Sequence, residues 1–219
     1  VILSKRPEVD RFLAHPPPDV RACLLHGRDR GGVRERAEGL ARRIVPNIDD
    51  PFDVAALTDS DLDQDAGRLQ DELAALSMMG GRRLVRLKLT SDKAGPLRIA
   101  ADALKAHLDG QLNPDAFFLI EAPALDRGSA LRKAAEAGKQ AAAIAVYEDE
   151  VGDVSRLVRE ALAEDKVGLT ADALEMFVAR LPKERGVMRQ EIERLALFLG
   201  PGSGVTASAA DLAEHLGVE

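Results

Sequence analysis

Near the start of the chain lie the residue types of a phosphate cradle with its charged groups removed. The apolar run from Ala22 to Leu25 reads as a buried strand. Gly27 and Gly32 follow at the spacing of the two glycines in G-x-x-x-x-G-K-[ST], where backbone N–H groups wrap a triphosphate. A helical pattern comes next, with Val33, Ala37, Leu40, Ala41 and Ile44 on its apolar stripe. Nucleotide hydrolysis at such a loop also needs a lysine ammonium on the phosphates and a small hydroxyl on Mg²⁺. Val33 and Arg34 stand at those positions. The free N–H groups of a helix start still allow weak phosphate binding. Without the ammonium and the metal ligand, the loop predicts a poor hydrolase and no bound cofactor. A second apolar run, Phe117-Phe118-Leu119-Ile120, ends in Glu121-Ala122. Active enzymes of this type carry two acids there to hold Mg²⁺ and polarise water. One acid remains, and Glu121 reads as a polar strand terminus.

Other constellations carry less chemistry. Asp59-x-Asp61-x-Asp63-x-Asp65 has the alternation of a calcium loop, but Gln64 stands where that loop needs glycine and Gln70 where it needs the closing glutamate. Acids that favour a helix dipole explain the run better. The four histidines, His15, His26, His107 and His215, have no ligand spacing. Cys23 is the sole cysteine and lies inside the first strand, which suits packing and a reducing compartment. The segment Leu76-Ser77-Met78-Met79-Gly80-Gly81-Arg82-Arg83 closes a helix and leads into a strand. Two adjacent methionines before a Gly-Gly turn cannot both face inward, so they form either an interaction surface or local filling beneath the turn. Arg82 and Arg83 read as solvated charges at a strand start.

The elements that would position these residues alternate along the first two thirds of the chain. Strands are expected at Ala22–His26, Phe52–Leu57, Arg83–Leu89, Ala116–Glu121 and Ala141–Tyr147. Between them lie helical patterns at Gly32 to about Val45, Asp61 to about Leu76, Leu97–Leu108 and Ser129–Ala137. In the second of these, Leu62, Ala66, Leu69, Leu73 and Leu76 share a face. Strand–helix alternation implies a mainly parallel sheet, and apolar runs without alternation suit strands covered on both faces. Pro16-Pro17-Pro18 reads as a stiff lead into the first core strand, and Asp149 to Asp153 as a linker. Beyond it only helical stripes follow. One covers Val154–Ala163, one starts at a Thr170 N-cap, one carries Met188, Ile192, Leu195 and Leu199 before Gly200-Pro201-Gly202, and one follows the Ser208-x-x-Asp211 capping box.

Composition sets limits on function. The chain has 219 residues, 46% of them hydrophobic, enough for one or two globular domains. Only 3% are aromatic, which argues against base-stacking platforms, and the net charge of −7 argues against autonomous DNA binding. Arg82, Arg83, Arg86 and Lys88 offer the one local basic patch. No apolar run approaches the ~20 residues of a membrane span. Charge runs through Val1 to Phe12, unlike a secretory signal, and the first residue is Val rather than Met, as in a trimmed chain.

Taken in order, these pieces resemble the delta subunit of the bacterial DNA polymerase III clamp loader, a divergent member of the AAA+ group. The resemblance runs through Leu24-Leu25-His26-Gly27-Arg28-Asp29 and from Glu72-Leu73 to Ser77-Met78-Met79-Gly80-Gly81-Arg82-Arg83-Leu84-Val85. It continues in Phe118-Leu119-Ile120-Glu121, Leu125-Asp126, Ser129-Ala130-Leu131-Arg132-Lys133 and Arg189-Gln190-Glu191-Ile192-Glu193-Arg194-Leu195. It implies an AAA+-like α/β domain over residues 1–149, with a mainly parallel five-stranded sheet and flanking helices. A small all-α lid-type domain is implied over 150–219. It also implies a mechanical role inside a polymerase (nucleotidyltransferase) holoenzyme in the cytoplasm, with no ATP hydrolysis of its own. Members bind the ring-shaped sliding clamp and open one of its interfaces through a hydrophobic wedge. By position that wedge is Met78 and Met79, supported by Leu76, where relatives often carry bulkier residues including Phe. Members usually have a third, collar domain that joins gamma/tau and delta prime subunits. This chain stops at Glu219, and reads as a fragment. Contact with DNA would be indirect or weak. Two other readings remain, a working ATPase that uses Arg30 or Arg34 for charge, and another AAA+ adaptor in replication or repair.

Overall fold

Buried strands alternating with helices build the first unit. The computed structural model describes residues 1–147 and 151–216, and the chain divides into two units, 1–147 and 148–219. In the first, β1 (Ile2–Leu3), α1 (Arg6–Ala14), β2 (Ala22–Gly27) and α2 (Arg30–Ile44) are followed by β3 (Val54–Thr58), α3 (Asp59–Gln64) and α4 (Arg68–Ala74). Then come β4 (Arg83–Lys88), α5 (Ala94–Leu108), β5 (Ala116–Ala122), α6 (Ala130–Ala137) and β6 (Ala141–Val146). The strands form one six-stranded sheet in the order β1-β6-β2-β5-β4-β3, and every neighbouring pair is parallel.

Odd and even positions of each strand feed separate cores. Leu24, Val85, Leu87, Phe118 and Ile120 pack with Leu62, Leu69, Leu73, Leu104 and Leu131 from α3, α4, α5 and α6. Cys23, Leu25, Leu84, Phe117 and Leu119 pack with Val9, Phe12, Val33, Ala37, Leu40 and Ile44 from α1 and α2. The adjacent Phe117 and Phe118 are both fully buried, one in each core, because successive strand residues point to opposite faces. This is why β5 reads as a continuous apolar run, as parallel strands covered on both sides do.

The sheet has one strand more than the five expected. Ile2–Leu3 pairs with Ala143 and Ile144 at the edge, and α1 joins it to β2 through the proline run. A two-residue strand is too short to show alternation, and Pro7 in the first turn of α1 hides a start that is favourable for a helix. The helix expected from Asp61 to Leu76 is two helices. Asp65 Oδ1 accepts the N–H of Gly67 at 3.0 Å, an Asx turn that breaks the stripe, and Ala66 is exposed. Leu76 therefore lies beyond the helix end at Ala74. Phe52 lies outside β3, which starts at Val54. The acidic run is used by the fold, as its position at a helix start implied. Asp61 Oδ2 accepts the Thr58 N–H at 2.8 Å, and Asp59 accepts the Thr90 N–H at 3.1 Å. Among the described residues no cluster of three or more His, Cys, Asp and Glu side chains could hold a metal ion.

The second unit contains α7 (Val151–Glu164), β7 (Gly168–Leu169), α8 (Ala171–Arg180), α9 (Arg185–Leu199), β8 (Thr206–Ala207) and α10 (Ala209–Leu216). Val158, Leu162, Leu174, Phe177, Ile192, Leu195 and Leu212 make its core. It is helical except for one short parallel pair, Gly168 with Thr206 and Leu169 with Ala207. α9 ends at Gly200, whose φ of 83° suits glycine. The Ser208–Asp211 box forms, with Asp211 Oδ2 accepting the Ser208 N–H at 2.8 Å. The linker read from Asp149 onward is helical from Val151. Asp149 and Glu150 lie outside the described residues, as do the side chains of His215 and Leu216. No described helix is long and apolar enough to cross a membrane.

Candidate functional site

Two candidate regions lie at opposite ends of the parallel sheet. The glycine loop follows the C-terminal end of β2, and the methionine turn precedes the N-terminal end of β4.

At the first, the loop is closed rather than cradled. α2 begins at Arg30, leaving only Arg28 and Asp29 after the strand. Asp29 is the N-cap, and its buried carboxylate accepts the N–H of Gly32 at 3.0 Å. A carboxylate at this N–H takes a donor that a phosphate would need and repels an incoming anion. Gly32 serves this cap, since a Cβ there would sit 2.5 Å from Asp29 Oδ2. Gly27 serves the sheet, since a Cβ there would sit 2.1 Å from the Val146 carbonyl oxygen of β6. Val33, at the lysine position, is 4% exposed and belongs to the core shared with Leu25 and Phe117. Arg34 points outward and pairs with Glu38, Nε to Oε1 2.9 Å. Arg30 donates to the Thr90 carbonyl at 3.1 Å. Neither arginine replaces the missing ammonium.

The strand ends agree. Glu121 is buried and meets Arg86 of β4, with 3.3 Å between Nη2 and Oε1. Burial pushes its carboxyl above the usual range, and Arg86 opposes that shift. In register with Glu121, β4 presents Lys88 and not a second acid. The donor set does not fit Mg²⁺ with a triphosphate.

His26, immediately before the loop, has a structural task. Its Nδ1 accepts the N–H of Leu125 at 3.3 Å, while Arg132 Nη1 donates to the Leu125 carbonyl at 2.9 Å. Burial, and then the Arg132 guanidinium, hold the imidazole below its ordinary value of 6.5. The folded chain thus resists a proton that the unfolded chain accepts near pH 6.5, so this group makes stability fall as pH drops below about 6.5. Buried His107 is lowered in the same direction. His26→Asn, which keeps an acceptor near Nδ1, is expected to make the decline in unfolding free energy between about pH 7 and 5 shallower. Denaturant unfolding across that range checks this, and an unchanged slope would contradict it.

At the second region the side chains project outward. Leu76, Met78 and Met79 are 73%, 83% and 87% exposed, which excludes filling beneath the turn. The base of the turn is held firmly. Ser77 Oγ donates to Asp53 Oδ1 at 2.6 Å and accepts the Met79 N–H at 3.3 Å. Gly80 and Gly81 take φ of 77° and 97°, so both positions need glycine. Arg82 donates to the Val20 carbonyl at 2.8 Å and stacks over the Phe117 ring at 5.4 Å. Buried Arg83 donates to the Phe52 carbonyl at 2.7 Å and pairs with Glu72.

These contacts correct the reading of the basic segment. Arg82, Arg83 and Arg86 bind carbonyls, a ring and carboxylates of the chain itself, so Arg82 and Arg83 are clamps and not solvated charges, and Lys88 alone remains of the patch. Sequence reasoning missed Asp29, Asp53 and Phe52. An acid just before an apolar-periodic helix was a legible cap signal for Asp29. The Asp53–Ser77 bond joins residues 24 apart and left no local signature.

No family model and no curated sequence relative matches the chain. Solved structures do. The DNA clamp loader delta protein of Bacillus subtilis superposes with a TM-score of 0.63 at 18% identity, over 96% of this chain and 62% of that one. A RuvB mutant of Thermotoga maritima gives 0.61 at 14% identity, over 97% and 69%. Domain III of the Thermotoga maritima replication initiation protein DnaA gives 0.55 at 10%, over 95% and 88%. The chain therefore spans under two thirds of the B. subtilis protein's length. These likenesses and the strand order identify the architecture of the chain as an AAA+ fold.

Proposed function

We propose that this chain is the clamp-contacting part of a clamp-loader delta subunit, acting in DNA replication in the cytoplasm. It binds the sliding clamp and helps open it, with Met78 and Met79 as the wedge and Leu76 as support. The observation that carries this reading is the pair of methionines standing almost wholly in solvent on a turn held by Ser77–Asp53, Arg82 and Arg83. An exposed apolar tip on a rigid base marks a protein-binding surface, since exposure without a partner is unfavourable. The filled phosphate loop supports a role without ATP hydrolysis, in which ATP-binding partner subunits supply nucleotide control and gamma/tau and delta prime are the neighbouring subunits of the loader. Contact with DNA is indirect or weak on this reading, in keeping with the net charge of −7.

Titration of the chain with the sliding clamp of the same organism tests the reading, and absence of saturable binding would refute it. The ATPase alternative predicts turnover. We expect phosphate release from Mg-ATP to stay at the no-protein background. Release near the typical enzyme rate of about 10 s⁻¹ would overturn the argument from the loop.

A further inference from the structure

We propose that Phe52 is a third anchor of this docking tip, and that the acidic residues around it select a partner pocket edged by basic groups. The inference rests on the clamp-binding reading and extends it to a residue from a different turn. Phe52 is 63% exposed and sits just ahead of β3. Its backbone is fixed beside the base of the methionine turn from several directions. Asp50 Oδ1 accepts its N–H at 2.9 Å, Arg83 Nη1 donates to its carbonyl at 2.7 Å, and the next residue, Asp53, takes the Ser77 hydroxyl at 2.6 Å. Ser77 and Arg83 are the two ends of the methionine turn, so both turns are tied to one frame.

In the first unit the exposed large apolar residues are Val1, Ile2, Phe52, Leu76, Met78, Met79 and Tyr147. Four of these belong to the two linked turns. The tip then offers one aromatic ring and two flexible thioethers, a combination suited to a desolvated pocket. Methionines refill an irregular cavity by changing rotamer, whereas a phenyl ring supplies rigid contact area at little entropic cost.

Charge defines the partner further. Asp49, Asp50 and Asp53 surround Phe52 in sequence, and exposed Asp71 precedes the methionine turn, while Glu72 is paired with Arg83. The nearest arginines face inward, Arg82 onto Val20 and Phe117 and Arg83 onto Phe52 and Glu72. The tip is therefore apolar with an acidic border. The complementary surface is an apolar pocket bordered by Lys or Arg, and the attraction weakens with salt.

The test is a titration of the 219-residue chain with the purified sliding clamp at several salt concentrations. Phe52→Ala is expected to weaken binding about tenfold or more, with Phe52→Leu recovering part of the loss. Asp49→Lys is expected to slow association and flatten the salt dependence. Circular dichroism confirms that each variant folds. Wild-type binding that Phe52→Ala leaves intact while Met78→Ala/Met79→Ala abolishes it would overturn this inference alone. Asp49→Lys with unchanged salt dependence would remove the charge argument. Wild-type chain that fails to bind the clamp, or that pairs with itself through this tip instead, would overturn both the inference and the reading beneath it.

Discussion

Replacing Met78 and Met79 together by alanine is expected to lower affinity for the sliding clamp by about 2 kcal/mol or more, roughly thirtyfold, with little change in stability. Both side chains stand in solvent and pack into neither core, so their truncation removes almost no buried area. The unfolding free energy should stay within about 0.5 kcal/mol of wild type, as for other surface changes. The turn itself should persist, because the Ser77 contacts, the two glycines and the Arg82 and Arg83 clamps do not involve the thioethers. Calorimetric titration with the clamp, paired with denaturant unfolding, separates the two effects. Unchanged affinity would refute the wedge assignment. A large stability loss would show that the methionines are structural.

Val33→Lys has the opposite signature. It restores the lysine of the phosphate-loop motif, yet it is expected to destabilise the chain by about 3 kcal/mol or more and to confer no ATP turnover. Val33 lies in the apolar α2 core with Leu25, Ala37 and Phe117, where burying an ammonium is costly. Asp29 would still cap Gly32, and Arg86 would still pair with Glu121. A Val33→Ala control, which only removes volume, should cost less, about 1–3 kcal/mol, since it deletes two carbons where Ile→Val deletes one for about 0.5–1.5 kcal/mol. Denaturant unfolding of both variants checks the order. A lysine variant as stable as wild type, or one that hydrolyses Mg-ATP, would show that the position faces a nucleotide site.

The phosphate loop shows why a motif can be half legible. The glycine spacing and the loss of lysine and hydroxyl were visible at Gly27, Gly32, Val33 and Arg34, and the inference of weak or no hydrolysis rests on them. The physical reason for each glycine was not visible. Gly27 answers to the Val146 carbonyl 119 residues away in sequence, and Gly32 to the Asp29 side chain. The same holds for Arg82 and Arg83. As charges at a strand start they read as solvated, but their partners, Val20 and Phe52, come from elsewhere in the chain. Helix ends were harder still. Ala66 fits the apolar stripe by spacing, yet an Asx turn one residue earlier breaks the helix and exposes it.

What the sequence by itself determined is the alternation of buried strands and amphipathic helices, the change to helical stripes after residue 149, the missing lysine, and the oddity of two methionines before Gly-Gly. These are local properties, set by periodicity of 2 or 3.6 and by side-chain chemistry within a few residues. Tertiary structure alone decided that the methionines point into solvent, that the arginines beside them are clamps, that Glu121 is paired with Arg86, and that the Phe52 backbone is tied to the base of the methionine turn. Each of those depends on a contact between segments far apart in sequence, and one chain read in order carries no record of which distant residue arrives to make it.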